Sequence, residues 1–396
     1  MKYTMGFDFC DSIKRSGASY VLRVPYLELI IKYGLVQAMN EIKNSLINHE
    51  IEVLVFSLDN CFDFPPDFFN LIKKKIYCCL YLGDDEHYFE RSARYYAQSF
   101  DLALPSNPLS VKRYLMYDID SLMFPSCFDI NTFSDISFID CEDVVFVGKA
   151  SGKVGRKSYL KSLEMSEINF SSYGSSSSNQ VVSREKMYSL FHSAKISLNF
   201  TGVSISTPLD SDISINRRIR GVKGRCQEIA LCGGFVLTEY VPGIEELFEI
   251  GSEIDTFNST KEMMEKINYY LNNSSIRQQM SKKAYLRAIK EYSDVYVWNK
   301  IGKYISIQEK NRKNIIYIDD IFNKSYSAYQ FSRMLGLLFK LRIDIFINDF
   351  ALLFTLKRPN IKLFIYYLKV DFVNTLMHHM QKFNNLNQKI NKCLKR

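Results

Sequence analysis

The sequence predicts an α/β protein: two Rossmann-like domains facing each other across a cleft, with a C-terminal helical appendage. Three observations predict it. Apolar, β-branched runs of about six residues alternate with helical segments, the pattern of a parallel sheet. The alternation restarts after position 140. Beyond position 310 it stops, and the chain turns rich in Phe, Leu, Ile, Lys and Asn and poor in Gly.

In the first domain, Glu52-Val53-Leu54-Val55-Phe56-Ser57 reads as a strand and the Pro65-Pro66 break opens a helix. Ile76 to Leu82 is a second strand ending in Gly83-Asp84-Asp85, and Leu102-Ala103-Leu104-Pro105-Ser106 a third. The second domain opens with Asp143-Val144-Val145-Phe146-Val147-Gly148. A Ser-rich loop follows from Ser171 to Ser178, then a strand over Ala194 to Phe200. Gly224 to Leu231 is a helix stopped by Gly233-Gly234, and Phe235 to Thr238 another strand. Lys261–Leu271 and Ser275–Tyr292 are amphipathic helices. Two such units imply two Rossmann-like domains. The expected division is 1–138, 139–308 and a basic helical tail at 309–396.

The 396 residues suffice for this plan. The net charge of +8 is uneven, with about sixteen basic and about five acidic side chains from Lys310 onward. The tail therefore suits an anionic phospholipid surface or an acidic glycan, or is a solvated basic face. Nucleic acid is not expected as a partner. The apolar spacing of Tyr329, Met334, Leu337, Leu338 and Leu341 suits a helix that lies on a membrane or docks a partner, or one that packs on the second domain. Met334 to Leu356 is too interrupted by Lys340, Arg342, Asp344 and Asp349 to span a bilayer. Nine cysteines without metal spacing, and no apolar signal region at the N-terminus, fit a cytoplasmic protein that touches the inner face of the membrane at most.

One stretch carries the chemistry. Lys223-Gly224-Arg225-Cys226-Gln227-Glu228 leads into Ile229-Ala230-Leu231-Cys232-Gly233-Gly234. A strand and the loop Pro242-Gly243-Ile244-Glu245-Glu246-Leu247-Phe248 follow. Gly221 and Gly224 let backbone N–H groups approach a diphosphate, and the helix start and Arg225 add positive potential. A carboxylate at Glu228, one turn on, can accept from two vicinal ribose hydroxyls.

These residues resemble the donor-site signature of GT-B glycosyltransferases, in particular the spore-maturation-protein-like branch related to family 4 (glycosyl transferases group 1). That branch shows R-x-x-E-x-x-x-C-G-G, a strand, then P-G-x-E-E-x-F. Phe146-Val147-Gly148 with Arg156, and Lys195-Ile196-Ser197-Leu198-Asn199, resemble its other strands. Leu82-Gly83-Asp84-Asp85 resembles its aspartate turn. The resemblance implies a glycosyltransferase with a UDP- or GDP-linked donor. It assigns the donor to Gly148, Arg156, Tyr173, Gly224, Arg225, Glu228, Gly233, Gly234 and Glu246, and gives Glu228 the ribose. The sequence departs from family 4 at Arg220, where many members carry a first glutamate eight positions before the second.

Asp84 and Asp85 follow a strand of the first domain, so either can work on an acceptor hydroxyl or cap the next helix. His87 is a second candidate base. Lys149, Lys153 and Arg156 can neutralise a leaving diphosphate. Tyr173, before Gly174, can stack on the base. Asp118-Ile119-Asp120 and Asp210-Ser211-Asp212 match D-x-D metal pairs, but the surrounding pattern does not fit a metal enzyme. His378-His379 lack companions for a metal. No metal or bound cofactor is expected; the nucleotide-sugar is a co-substrate. The acceptor class is a glycan, a lipid-linked glycan or a protein, as in bacterial surface-glycan synthesis. The competing readings are a non-catalytic glycan-binding scaffold and a sugar-nucleotide epimerase.

Overall fold

The structure is a computed structural model describing residues 9–57, 62–152, 155–202, 219–307 and 319–373. Helices α1 (Phe9–Arg15), α2 (Tyr26–Tyr33) and α3 (Leu35–Asn48) lead to β1 (Val53–Ser57). Then come α4 (Pro66–Lys73), β2 (Tyr77–Leu82), α5 (Arg94–Ala97), β3 (Leu102–Pro105) and α6 (Pro108–Met116). Proline opens both α4 and α6, where its missing N–H costs no hydrogen bond. The strands pair in parallel in the order β1-β2-β3. Central β2 is buried throughout, which is why it reads as an unbroken apolar run rather than an alternating one.

The second half follows with β4 (Val144–Val147), α7 (Arg156–Glu164), β5 (Phe170–Tyr173) and α8 (Arg184–Ser193). Next are β6 (Ile196–Asn199), α9 (Arg225–Leu231), β7 (Val236–Glu239) and β8 (Asp255–Phe257). The strands form a parallel sheet in the order β5-β4-β6-β7-β8. The order reverses at β4, so the C-terminal ends of β4 and β6 flank a switch point, the place where such sheets open a crevice. Sequence reading missed β5, because Phe-Ser-Ser-Tyr is too polar to stand out, and β8, because it is three residues long.

Helix α10 (Thr260–Asn272) starts at Ser259, whose hydroxyl accepts from the Glu262 N–H at 3.2 Å. It buries Met263, Ile267 and Tyr270 against Phe235, Leu237 and Phe257. After α11 (Ser274–Glu291), helix α12 (Asp294–Ile307) crosses back to the first sheet. Its Trp298 packs with Tyr77, Tyr81, Leu102 and Phe124, and donates from Nε1 to Ser12 Oγ at 2.8 Å.

The tail offered membrane contact or packing on the second domain; its described part packs on the first. Helices α13 (Asp320–Phe339) and α14 (Ile343–Asp349), and helical residues 361–373, lie there. Phe322 of α13 joins the first core beside Phe62, Tyr95 and Tyr96. Asp349, fully buried, accepts from the N–H groups of Leu35 (2.8 Å) and Val36 (2.9 Å), the opening residues of α3, and from Arg333 (2.8 Å). Gly34, at φ 87°, lets it approach: a Cβ there would stand 2.7 Å from Ile345 Cγ2. No described helix is long and apolar enough to cross a membrane.

Candidate active site

The loops that follow the strands of the two halves meet in a seam. The seam is charged. Lys223 Nζ donates to Asp84 Oδ1 at 2.7 Å, and Lys112 Nζ to Glu246 Oε1 at 2.8 Å. Gly243 of the second half lies against Pro108 and Leu109 at the start of α6.

The acidic turn after β2 sends three neighbours three ways. Asp84 sits at φ 52°, a left-handed conformation Asp tolerates, and reaches the seam. Asp85 is fully buried and accepts from Ser110 Oγ (2.7 Å) and Tyr114 Oη (2.8 Å). Burial pushes its pKa up to about 6. Its carboxylate anchors α6 and does not face the seam, which corrects the catalytic reading of Asp85. Glu86, which sequence reasoning passed over, does face the seam. Its Oε1 accepts from Asn107 Nδ2 at 2.8 Å, and a Cβ on Gly221 would stand 2.6 Å from that oxygen. Its Oε2 is buried without a hydrogen-bond partner. The available signal was the run Asp84-Asp85-Glu86 at a strand end, since a turn there must aim successive side chains differently.

The start of α9 faces the same seam. Gly221 and Gly224 were expected to admit a diphosphate, but their open faces admit first-half side chains. A Cβ on Gly224 would lie 2.4 Å from Ser126 Oγ, and the one on Gly221 meets Glu86. Arg225 donates to Glu228 Oε2 at 2.6 Å, and its guanidinium lies 5.3 Å from the Phe191 ring centroid. Glu228 Oε1 takes no hydrogen bond from the described residues. Burial raises the Glu228 pKa, against the pull of Arg225 and Arg184.

Arg156 lies beneath the switch point. It donates to the carbonyls of Lys149 (2.7 Å) and Phe200 (3.0 Å), so it ties the loop after β4 to the loop after β6. Burial lowers its pKa to about 10, with Glu239 opposing. Each terminal nitrogen gives one hydrogen bond to the backbone, and Nε is buried without a partner. Gly148 closes the same corner, its carbonyl accepting from Ser177 Oγ at 2.9 Å. Buried Glu239, at the end of β7, accepts from Arg220 Nε (2.9 Å) and from the N–H of Thr201 (2.9 Å). Arg220 thus pairs with a carboxylate of its own, that of Glu239.

Two further expectations change. The Tyr173 hydroxyl donates to Glu142, before β4, at 3.0 Å, so the ring runs back from the strand end and is not offered to a base. Gly233 and Gly234 precede β7 and lie at the opposite end of the sheet from the crevice. Gly233, at φ 75°, terminates α9, and a Cβ on Gly234 would stand 2.3 Å from the Phe191 carbonyl oxygen. Glu246 is at the seam but held by Lys112. Lys153, the His87 side chain, Asp210, Asp212, His378 and His379 lie outside the described residues. Among the described residues no group of three His, Cys, Asp or Glu is placed to hold a metal ion.

Residues 156–301 match the family described as glycosyl transferase-like. No curated protein matches the chain. Among solved structures, sucrose-phosphate synthase from Thermosynechococcus elongatus aligns with a TM-score of 0.53 at 10% identity, over 72% of this chain and 80% of that one. A glycosyltransferase from Rickettsia africae aligns at 0.50 and 10% identity, over 74% and 85%. HepE of Anabaena, solved with UDP-glucose, aligns at 0.50 and 12% identity, over 68% and 82%. The architecture is the GT-B fold, and the residues matched by the glycosyl transferase-like family, 156–301, include α9 and most of the second sheet.

Proposed function

We propose that the protein is a metal-independent, hexosyl-type glycosyltransferase that moves a sugar from a UDP- or GDP-linked donor to a glycan, a lipid-linked glycan or a protein in surface-glycan synthesis. The observation that carries the reading is the Arg225–Glu228 pair in the first turn of α9, inside the glycosyl transferase-like segment. With Oε2 held by Arg225, Oε1 is left to accept from a ribose hydroxyl. Lys223 and Arg225 supply the charge that a leaving diphosphate needs. The second half takes the donor and the first half, with Asp84 at its edge, takes the acceptor. Closing the seam excludes water, which competes as an acceptor. HepE, solved with UDP-glucose, supports a uridine donor.

A membrane-held acceptor is part of this proposal. Leu341 (82% exposed), Phe354 (80%), Ile347 and Ile361 lie open on the tail. Lys357, Arg358, Lys362 and Lys369 interleave with them, a composition suited to an anionic lipid surface at the inner face of the cytoplasmic membrane.

A thermal-shift screen against UDP-, GDP-, ADP- and CMP-sugars tests the donor assignment, because a ligand of the native state stabilises by about 2.7 kcal/mol at a hundred times its Kd. One nucleotide class should raise Tm, and Glu228→Ala should abolish the rise; a full rise in that variant removes Glu228 from the site. A non-catalytic sugar-binding scaffold is the second reading, favoured by Ser126 and Glu86 filling the faces of Gly224 and Gly221. It predicts the shift without any release of nucleotide.

A further inference from the structure

Of the three carboxylates after β2, two are committed. Asp84 holds Lys223, and Asp85 holds Ser110 and Tyr114. Glu86 keeps one oxygen open: Oε1 is bound by Asn107, while Oε2 is buried and meets no donor. A buried carboxylate oxygen without a donor is costly, so the site is built for a proton or for a ligand hydroxyl. Its position is specific. Asn107 caps α6 through Oδ1 and turns Nδ2 to Glu86, so the same residue that starts the helix fixes the carboxylate. Gly221 brings second-half backbone against Oε1, so Glu86 stands at the contact between the two halves.

We propose that Glu86 takes the proton of the attacking acceptor hydroxyl, an inference that rests on the glycosyltransferase reading above. The acceptor oxygen bonds to the anomeric carbon as the bond from that carbon to the diphosphate oxygen breaks. The electron pair leaves on the nucleoside diphosphate. The hydroxyl proton passes to Glu86 Oε2 and is lost to solvent when the seam opens. This is a single displacement, so it inverts the anomeric centre.

The groups facing Glu86 suit a base working near neutral pH. Burial pushes its pKa up to about 7; Asp84 and Asp85 add to the rise, and Lys223 and Asn107 oppose it.

The test uses the full chain and the nucleotide-sugar that gives the largest thermal shift, with water as acceptor and nucleotide release as the readout. Wild-type release should rise with pH and level off above about 7. Glu86→Gln should keep the donor-induced shift, lose release by about 100-fold or more, and lose the pH limb. Glu86→Asp should recover part of the rate. Proton NMR at early times should find the released sugar inverted relative to the donor. Release by Glu86→Gln close to the wild-type rate, or a retained anomeric configuration, overturns the proposal while leaving the donor reading in place. A wild type that neither shifts with any nucleotide-sugar nor releases nucleotide overturns that reading, and this inference with it.

Discussion

Lys223 of the second half and Asp84 of the first form an ion pair of 2.7 Å, a direct electrostatic bond across the seam. Asp84 is 56% exposed, so the pair adds at most about 1 kcal/mol to stability. In the proposed reaction a donor diphosphate competes with Asp84 for Lys223. Asp84→Asn should change the unfolding free energy by less than about 1 kcal/mol and leave the nucleotide-sugar shift intact. Lys223→Ala should shrink that shift several-fold in apparent affinity. Calorimetric titration of both variants with the same donor checks the pair.

Gly224 is constrained by Ser126 of the first half. Gly224→Ala should cost about 1–3 kcal/mol through overpacking, and adding Ser126→Gly should restore most of it. A double-mutant cycle in urea measures the coupling, and additive effects would mean that the two residues do not touch.

Asp85 should behave as a structural residue. Asp85→Ala leaves the Ser110 and Tyr114 hydroxyls buried without their acceptor and should cost about 2 kcal/mol or more. The folded pKa of Asp85 lies near 6, above the unfolded value of about 4. The native state therefore binds the extra proton between those limits, and this group's contribution is greatest below about pH 4 and declines as pH rises through about 6. Asp85→Asn should flatten that decline in unfolding curves recorded from pH 4 to 7.

Asp349 joins the tail to α3. Asp349→Ala should cost about 3–5 kcal/mol, because it strands Arg333 and removes the acceptor from two opening N–H groups of α3. Chemical denaturation reports the loss, and Asp349→Asn should fall between the variant and the wild type.

The tail surface should bind anionic vesicles. Leu341→Glu with Phe354→Glu should weaken co-sedimentation with phosphatidylserine-containing vesicles about tenfold or more, and salt should weaken the wild type as well. Equal binding to neutral vesicles would argue against the charge component.

Much of the fold was legible because most of its strands are buried on both faces. Tyr77–Leu82 and Val144–Val147 announce themselves as apolar runs, whereas β5 hides behind two serines. The site was harder to read. The pairing of Arg225 with Glu228 is legible, since its spacing is local to a helix turn. What Gly221, Gly224 and Arg220 do was hidden, because their partners Glu86, Ser126 and Glu239 are distant in sequence. Asp84, Asp85 and Glu86 are chemically alike in sequence, and only the left-handed turn at Asp84 separates a seam contact, a helix anchor and an open carboxylate. Gly233 and Gly234 belong to the same motif as Arg225, yet a helix length carries them to the far end of the sheet.

The return of α12 and the tail to the first sheet makes that half discontinuous along the polypeptide. Trp298, Phe322 and Asp349 complete its interior from the last quarter of the chain. On the ribosome, the middle segment can close its own sheet while residues 9–128 still wait for their final layers, and long-range closure of this kind is slow. A nascent chain halted before α12 should thus expose a protease-sensitive N-terminal region beside a resistant centre.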